Sequence, residues 1–332
     1  MIEENAVAAN KQGGKQSGKI APPYKKRASF NGVTRGREAF HLFLAAIPVL
    51  GFLIFGLVPL VLSLALSFTN VKMSILDEFT FVGIQNFVTL AKNVYFKKSI
   101  VNTLYYTLNV PLSIALGLFI AYLVNKAMKG KYFFRSVFFI PYVCSTVSMA
   151  VAWKIMYDKE YGIINTLLSS FGVAQIGWIT TPQTFMLSTI IMSVWSGTGF
   201  CVILYQAALA NVNTAYYESA KIDGASNARV FFSISLPAVS PTTFYLLTMK
   251  LIGSLQVMAE PDILSGGNST TGGLNWADMT VVKFLYKTFG GSWNSIGFGV
   301  GSAAALILTV FIALVTWINF RLGKKWVNYD MA

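Results

Sequence analysis

Residues 185–210 read FMLSTIIMSVWSGTGFCVILYQAALA, a run of 26 residues without a charged side chain. A helix needs about 20 mostly apolar residues to cross the roughly 30 Å of hydrocarbon in a bilayer. This run therefore predicts a membrane-spanning helix, and similar charge-poor runs recur along the chain. On the same criterion we predict spans at about 40–68, 99–125, 134–154, 185–210 and 294–320, and a sixth at about 240–262 whose charged residues are Lys250, Glu260 and, at its end, Asp262.

The composition of the 332 residues agrees with several such spans. Hydrophobic residues make up 55% of the chain, charged residues make up 12%, and the mean hydropathy is +0.58. These values are unlike those of soluble domains, so we predict an all-α membrane protein with six transmembrane helices. The net charge of +13 does not indicate nucleic-acid binding, because the 26 Lys and Arg are spread over short loops and the N-terminus and form no single basic face.

The distribution of positive charge predicts the orientation in the membrane. With the N-terminus placed in the cytoplasm, the segments on that side carry 17 Lys or Arg and the opposite loops carry 8; the cytoplasmic segments are 1–38, 126–135, 211–239 and 321–332. Because Lys and Arg are enriched in cytoplasmic loops, we predict that both termini are cytoplasmic, which requires an even number of spans.

The same pattern divides the chain into parts. Residues 1–38 contain eight Lys or Arg and almost no apolar periodicity, so we predict a disordered basic cytoplasmic tail. Residues 39–325 form the predicted six-span domain, and residues 326–332 form a cytoplasmic C-terminus.

Residues suited to catalysis or metal binding are scarce. His41 is the only histidine, and Cys144 and Cys201 both lie in apolar runs, so the sequence supplies neither a zinc site nor a catalytic triad. Residues 13–20, GGKQSGKI, are close to a phosphate-binding loop, but Ile20 stands where that loop has Ser or Thr, and no apolar strand precedes it. We therefore expect no ATPase site, no other enzyme site and no metal or cofactor on this chain.

Residues 217–237, YESAKIDGASNARVFFSISLP, interrupt the apolar pattern between the fourth and fifth predicted spans. Thr214 is a candidate cap for a short helix, and Gly224 tolerates the positive φ of a chain reversal. A second helical stretch is expected from Ala225 to Phe232, before Pro237. We predict a helix–turn–helix knob on the cytoplasmic side that docks in a groove, with an ordinary surface loop as the alternative on pattern alone.

The knob resembles the EAA loop that marks permease subunits of ABC importers. The matching residues are Glu218, Ser219, Ala220, Gly224 and the run Ile234–Pro237, and Ser219 stands where that family usually has alanine. Other segments are similar to the oligosaccharide branch of the family (maltose and multiple-sugar type), in particular to the first of its two paired permeases. They are FVGIQNF at 81–87, FIPY at 139–142, YGIIN at 161–165, the W-x-G of Trp195–Gly197 and SGGNST at 265–270.

The resemblance covers about residues 39–325 and implies the type I ABC importer permease fold. It implies a cytoplasmic coupling helix within residues 212–237, here called the knob, which seats in a cleft of an ATPase subunit. The residues that inherit this role are Glu218, Ser219, Ala220, Asp223, Gly224, Ile234, Leu236 and Pro237.

The resemblance also implies the partners and the location. The partners are a second, similar permease, two ATPase subunits that bind ATP and Mg²⁺, and an external solute-binding protein. The binding protein would deliver an oligosaccharide to the loops at 69–98, 154–184 and 263–293. The location is the bacterial cytoplasmic membrane.

The family's binding positions imply a substrate pathway near the middle of the membrane. The candidates are Tyr142 and Thr146 on the third span, Ser196, Gly197 and Phe200 on the fourth, and Gly253 and Gln256 on the fifth. Each group obeys helical spacing and shares one helix face. Aromatic and polar side chains are suited to a sugar, although helix packing alone also explains any single one of them.

Lys250 lies about ten residues into the fifth span, where an unpaired ammonium costs roughly 2.5–3.5 kcal/mol. It must therefore face protein or water. Glu260 lies ten positions further on, about 15 Å along a straight helix, which is too far for a direct pair. We expect Lys250 to have a structural role, as in contact with a partner subunit, and keep contact with an anionic substrate group as the alternative.

Three functions fit these features. The first is a permease subunit of an ATP-driven oligosaccharide importer. The second is an ABC permease for glycerol phosphate or another small anionic solute, with Lys250 as the charge partner. The third is a self-associating channel or secondary carrier, which receives little support because the sequence has no internal inverted repeat and no pair of buried carboxylates.

Overall fold

The computed structural model describes residues 34–71, 80–125, 131–267, 274–289 and 297–328. Apart from one isolated bridge between Thr69 and Phe81, the described residues form helices and their connections, which confirms the all-α class. The predicted tail up to residue 33, with the GGKQSGKI segment, lies outside the described residues.

The chain divides into two compact units, which meet between Pro59 and Leu60. The first unit contains α1 (Thr34–Phe52) and a π-helical segment, π1 (Leu53–Leu57). The next helix, α2 (Val58–Leu66), begins at the end of this unit.

The second unit holds the remaining helices. In its first half they are α3 (Gln85–Lys92), α4 (Val94–Tyr106), α5 (Asn109–Asn125), α6 (Lys131–Val143), α7 (Thr146–Met156), α8 (Ile163–Ser170) and α9 (Pro182–Asn211). In its second half they are α10 (Thr214–Ile222), α11 (Asn227–Val230), the π-helical π2 (Phe231–Ser235), α12 (Leu236–Ala238), α13 (Ser240–Leu255), α14 (Ala259–Leu264), α15 (Val281–Phe289) and α16 (Phe298–Trp326).

The described helices account for four to six membrane spans. Four segments are long and apolar enough on their own: Phe40–Leu66, Val94–Asn125, Pro182–Asn211 and Phe298–Trp326. Two further pairs pass the same test jointly. They are Phe133–Val143 with Thr146–Met156, bent by 97°, and Asn227–Ala238 with Ser240–Leu255, bent by 64°. If each bent pair is one span, the total is six.

Prolines explain the irregular helices. Pro141 has no N–H to donate and its ring crowds the carbonyl four residues earlier, and α6 ends two residues later, at Val143. Both π-helical segments precede a proline by two positions: π1 ends before Pro59, and π2 ends before Pro237. In each case the carbonyl that the ring would crowd lies inside the wider π turn, which relieves the clash.

The helix in the predicted fifth span is shorter than residues 240–262. Helix α13 ends at Leu255, and α14 restarts at Ala259 with Pro261 in its first turn, where proline is tolerated. A continuous helix would press Pro261 against the carbonyl of Val257. That carbonyl instead accepts a hydrogen bond of 2.7 Å from the Thr280 hydroxyl.

Glycines let the central helices approach closely. A Cβ at Gly117 on α5 would lie 2.3 Å from the Cβ of Cys201 on α9, and a Cβ at Gly199 would lie 2.1 Å from the carbonyl oxygen of Phe138 on α6. Small residues at such contacts are typical of helices packed within membranes. The result is a buried apolar cluster shared by α5, α9 and α13, centred on residues such as Val202.

Candidate functional sites: a cavity between helices and an exposed knob

A cavity of about 800 Å³ lies among α4, α6, α7, α9, α13 and α14. It is lined by all eight residues that the sequence assigned to a substrate pathway: Tyr142, Thr146, Ser196, Gly197, Phe200, Lys250, Gly253 and Gln256. These residues come from four helices and the turn after α13. The volume falls in the upper part of the range of about 300–1,000 Å³ that is usual for sites of drug-sized ligands.

The two aromatic candidates in this cavity stack on each other. The ring centroids of Tyr142 and Phe200 are 4.8 Å apart and the ring planes are inclined by 17°. Tyr142 is exposed and Phe200 is half-buried. They therefore form one aromatic surface in the cavity wall.

The remaining candidates supply polar groups and space. The Ser196 hydroxyl donates to the carbonyl of Ser193 at 3.3 Å, and Gln256 is exposed after the end of α13. No heavy atom lies within 4 Å of a Cβ built on Gly253. This part of the wall is therefore open.

Lys250 is half-buried beside the backbone of α9. Its Nζ donates to the Gly197 carbonyl at 3.4 Å, and a Cβ built on Gly197 would lie 2.5 Å from the same nitrogen. Glycine at position 197 thus makes room for the ammonium. Among the described residues, the ion pairs within 4.0 Å all involve Lys283, so no described carboxylate pairs with Lys250.

Glu260 lines the same cavity, although the sequence analysis did not place it in the pathway. The expected 15 Å separation from Lys250 assumed a straight helix, and the break after Leu255 removes that assumption. The Glu260 carboxyl lies near the Tyr106 hydroxyl, which pairs with the Ser193 hydroxyl at 2.7 Å. In the sequence, only Pro261 indicates that the helix is interrupted after Leu255.

The knob has the predicted helix–turn–helix form with different helix ends. Asn213, and not Thr214, caps α10, because its side chain accepts from the Ala215 N–H at 3.0 Å. Gly224 has φ +68°, the positive value expected of the turn. The second helical stretch begins at Asn227, capped by Ser226, and continues through π2 into α12.

The predicted coupling residues divide into an exposed tip and a half-buried base. The tip residues Glu218, Ser219, Asp223 and Gly224 are exposed. Ala220 is half-buried, as are the base residues Ile234, Leu236 and Pro237. Ile222 adds a large apolar side chain to the tip and is 87% exposed.

Tyrosines connect the knob to the transmembrane helices. The Tyr122 hydroxyl near the end of α5 donates to the Asn227 carbonyl at 3.2 Å, and its ring meets Phe231 edge-on at 4.7 Å. Within the knob, the Tyr217 hydroxyl lies 3.2 Å from that of Ser235. The second half of the knob runs directly into α13, which carries Lys250.

A buried ionic cluster lies outside the predicted sites. The Lys283 ammonium contacts Asp262 at 2.7 Å and Asp278 at 2.6 Å, and it is 1% exposed. In the sequence, Lys283 and Lys287 are two of the eight Lys and Arg of the loops predicted to face away from the cytoplasm. Burial and the neighbouring Lys283 ammonium lower the pKa of Lys287, while Asp278 and Asp262 oppose this effect. The cluster fixes α15 to α14, next to the cavity.

The part of the chain that the structure describes contains no candidate metal-binding site. No three His, Cys, Asp or Glu side chains in those residues are grouped so that they could hold a metal ion.

Comparison with known proteins assigns the chain to a family. Residues 113–328 match the family of binding-protein-dependent transport system inner membrane components. The chain belongs to this family. It is a multi-pass membrane permease subunit, and permeases of this kind are transport components whose ATPase site lies on other subunits. The matched residues include most of the cavity wall and the whole knob.

Named relatives and a solved structure agree with this assignment. The probable ABC transporter permease protein YesP of Bacillus subtilis is 32% identical over 286 residues, 85% of this chain and 89% of the relative. The arabinooligosaccharides transport system permease protein AraP of the same species is 29% identical and covers 91% and 94%.

The solved structure is a chain of a bacterial alginate ABC transporter in complex with a periplasmic protein bound to alginate pentasaccharide. It has a TM-score of 0.73 and 22% identity, and covers 87% of this permease and 96% of that chain. The predicted type I importer permease fold is therefore confirmed.

Proposed function

We propose that this permease is one of two paired membrane subunits of an ATP-driven importer for an oligosaccharide. The observation that carries the proposal is the cavity of about 800 Å³ into which the eight separately predicted residues converge. The name of the relative AraP, an arabinooligosaccharide permease, supports a saccharide as the solute.

The assembly would contain a second permease, two ATPase subunits holding ATP and Mg²⁺, and an external solute-binding protein. Both termini and the knob would face the cytoplasm, as the excess of 17 over 8 Lys and Arg indicates. The binding protein would dock at the opposite end, on the loops at 69–98, 154–184 and 263–293. In the described part of the third of these loops, Lys283 pairs with Asp278 and with Asp262 just before the loop.

In the proposed mechanism, movement of the ATPase subunits displaces the knob, and the displacement of the knob changes the cavity. Moving a two-state transporter from 1:99 to 99:1 requires about 5.5 kcal/mol of differential binding, which ATP-driven movement of the ATPase subunits would supply. The exposed tip would seat in the ATPase. Only Val239 separates the base from α13, so a displacement of the knob would be passed through this bend to the helix that carries Lys250 and Gly253.

The first test replaces tip residues with a bulky side chain. We expect Glu218→Trp and Ser219→Trp to abolish ATP-driven uptake while the chain still reaches the membrane, because both positions are exposed on α10 and neither supports the core. Uptake by the reconstituted importer and the amount of membrane-inserted chain are measured together. Lys324→Trp, at an exposed position near the end of α16, is the matched control; wild-type uptake in the tip variants contradicts the coupling role.

A second candidate function is import of glycerol phosphate or another small anionic solute. The observation in its favour is Lys250, a half-buried ammonium in the cavity wall that no described carboxylate neutralises. The size of the cavity favours the larger solute.

A further inference from the structure

We propose that the solute is an acidic oligosaccharide and that the Lys250 ammonium binds one of its carboxylates. This inference deepens the proposed function and rests on it, because it names the substrate class of the same cavity.

The first observation that supports the proposal is the small number of polar contacts of the Lys250 ammonium. Its ammonium has three donors, and in the described residues its single hydrogen bond is the long one of 3.4 Å to the Gly197 carbonyl. The electrostatic neighbour of the ammonium is the buried Cys201 thiol, not a carboxylate. A lysine in a membrane span is costly unless a partner or water stabilises it. An anionic group on the solute would provide that partner.

The second support is the position of the one acidic side chain in the cavity wall. Glu260 is held beside Tyr106, which bonds to Ser193, whereas Lys250 is held beside Gly197. These two anchor points on α9 are four residues apart, about 6 Å along the helix. The charges thus mark two different levels of the cavity and do not neutralise each other as an ion pair.

The two levels match the chemistry of a sugar acid. A carboxylate of the solute would meet Lys250, and its hydroxyl groups would donate to the Glu260 carboxylate about one helical turn away. A neutral saccharide would leave the ammonium unmatched, and a buried unmatched charge weakens binding. A cationic solute would meet repulsion at Lys250.

The size of the cavity separates this proposal from that of a small anion. About 800 Å³ is typical of sites for drug-sized ligands, and a three-carbon phosphate ester would fill only part of it. The stacked rings of Tyr142 and Phe200 add an apolar wall that suits the face of a sugar ring.

The test uses the complete reconstituted importer and two readouts, uptake and the rate of alkylation of Cys144. Cys144 is exposed and lines the cavity, so a bound solute should slow its reaction with a maleimide, measured on its peptide by mass spectrometry. The probes are three acidic pools, oligouronides from pectin, alginate and glucuronoxylan. Their carboxyl-reduced neutral forms, neutral oligosaccharides from starch and arabinan, and glycerol 3-phosphate complete the set.

We expect at least one acidic pool to protect Cys144 and to be taken up, and its carboxyl-reduced form to be at least tenfold weaker. Lys250→Met should remove this preference, and Lys250→Arg should keep most of it. Lys325→Met, at an exposed position in the last turn of α16, is the matched control and should behave as wild type.

Four outcomes overturn the inference. They are a preference for neutral pools, protection by glycerol 3-phosphate alone, protection by no probe, and an acidic preference that survives Lys250→Met. ATP-driven uptake of a neutral oligosaccharide in preference to every acidic pool would overturn this inference and leave the proposed function standing. Failure of every saccharide to be taken up would count against both.

Discussion

The Lys250 ammonium contacts the backbone of Gly197 directly. The carbonyl of Gly197 accepts from the ammonium, and the missing side chain of Gly197 leaves the space that the ammonium occupies. The position of the charge in the cavity is therefore set by a glycine on the neighbouring helix.

Gly197→Ala should displace the ammonium without unfolding the chain. The new methyl would meet the flexible end of Lys250, which can move, and no backbone atom is in its way. We expect the half-saturating solute concentration for uptake to rise about tenfold, equivalent to about 1.4 kcal/mol. Gly51→Ala, where a Cβ meets nothing within 4 Å, is the control. Unchanged uptake in Gly197→Ala would show that the charge position does not matter.

At the scale of single residues, the resemblance to a family led to eight candidate pathway residues, and all eight line the same cavity. It did not identify Glu260 or the buried pairs of Lys283. A charged residue in a loop is usually solvated, and nothing local to Asp262, Asp278 and Lys283 indicates that they converge. Their pairing depends on where α14 and α15 pack.

A run of helices with one break, at Val239, leads from the knob to the cavity. Residues from Asn227 to Ala238 run through α11, π2 and α12, and α13 follows after a bend of 64°. The π turn before Pro237 keeps this helix unbroken at its base. Tyr122 joins the same run of helices to the end of α5 through one hydrogen bond and one ring contact.

Tyr122→Leu should weaken the coupling of ATP hydrolysis to transport. It removes both contacts, so the knob could move without moving α5; we expect the ratio of solute imported to ATP hydrolysed to fall about tenfold. Tyr122→Phe loses only a neutral hydrogen bond, worth about 1 kcal/mol, and should reduce the ratio about fivefold or less. The two rates are measured on the same vesicles. An unaltered ratio in Tyr122→Leu would exclude this connection.

At the scale of helices, the positions of the membrane spans could be predicted from the sequence, but the exact ends of the helices could not. The spans were predictable because the thickness of the bilayer sets the length of the apolar run that a spanning helix needs. The cap at Asn213 differs from the expected Thr214 because either side chain suits a cap and only the backbone geometry decides. The end of α13 at Leu255 depends on Pro261, whose effect four residues upstream is easily missed in an apolar run.

At the scale of the whole molecule, one permease chain contains both a cavity between its helices and an exposed knob. The family assignment and the type I fold are shown by the match over residues 113–328 and by the solved structure. The orientation follows from charge, and the partners follow from the family. Both belong to the proposal because a single chain contains neither the bilayer nor the other subunits.

The most direct measurement of the central claim is a crosslink from the knob tip in the assembled importer. The variant carries Ser219→Cys with Cys144→Ala and Cys201→Ala, so the tip holds the only thiol of this chain. A short thiol-to-amine crosslinker should join this introduced thiol to an ATPase subunit, and assembly should protect it from a maleimide. Full labelling of the thiol in the intact importer, with no crosslink to the ATPase, would contradict the account.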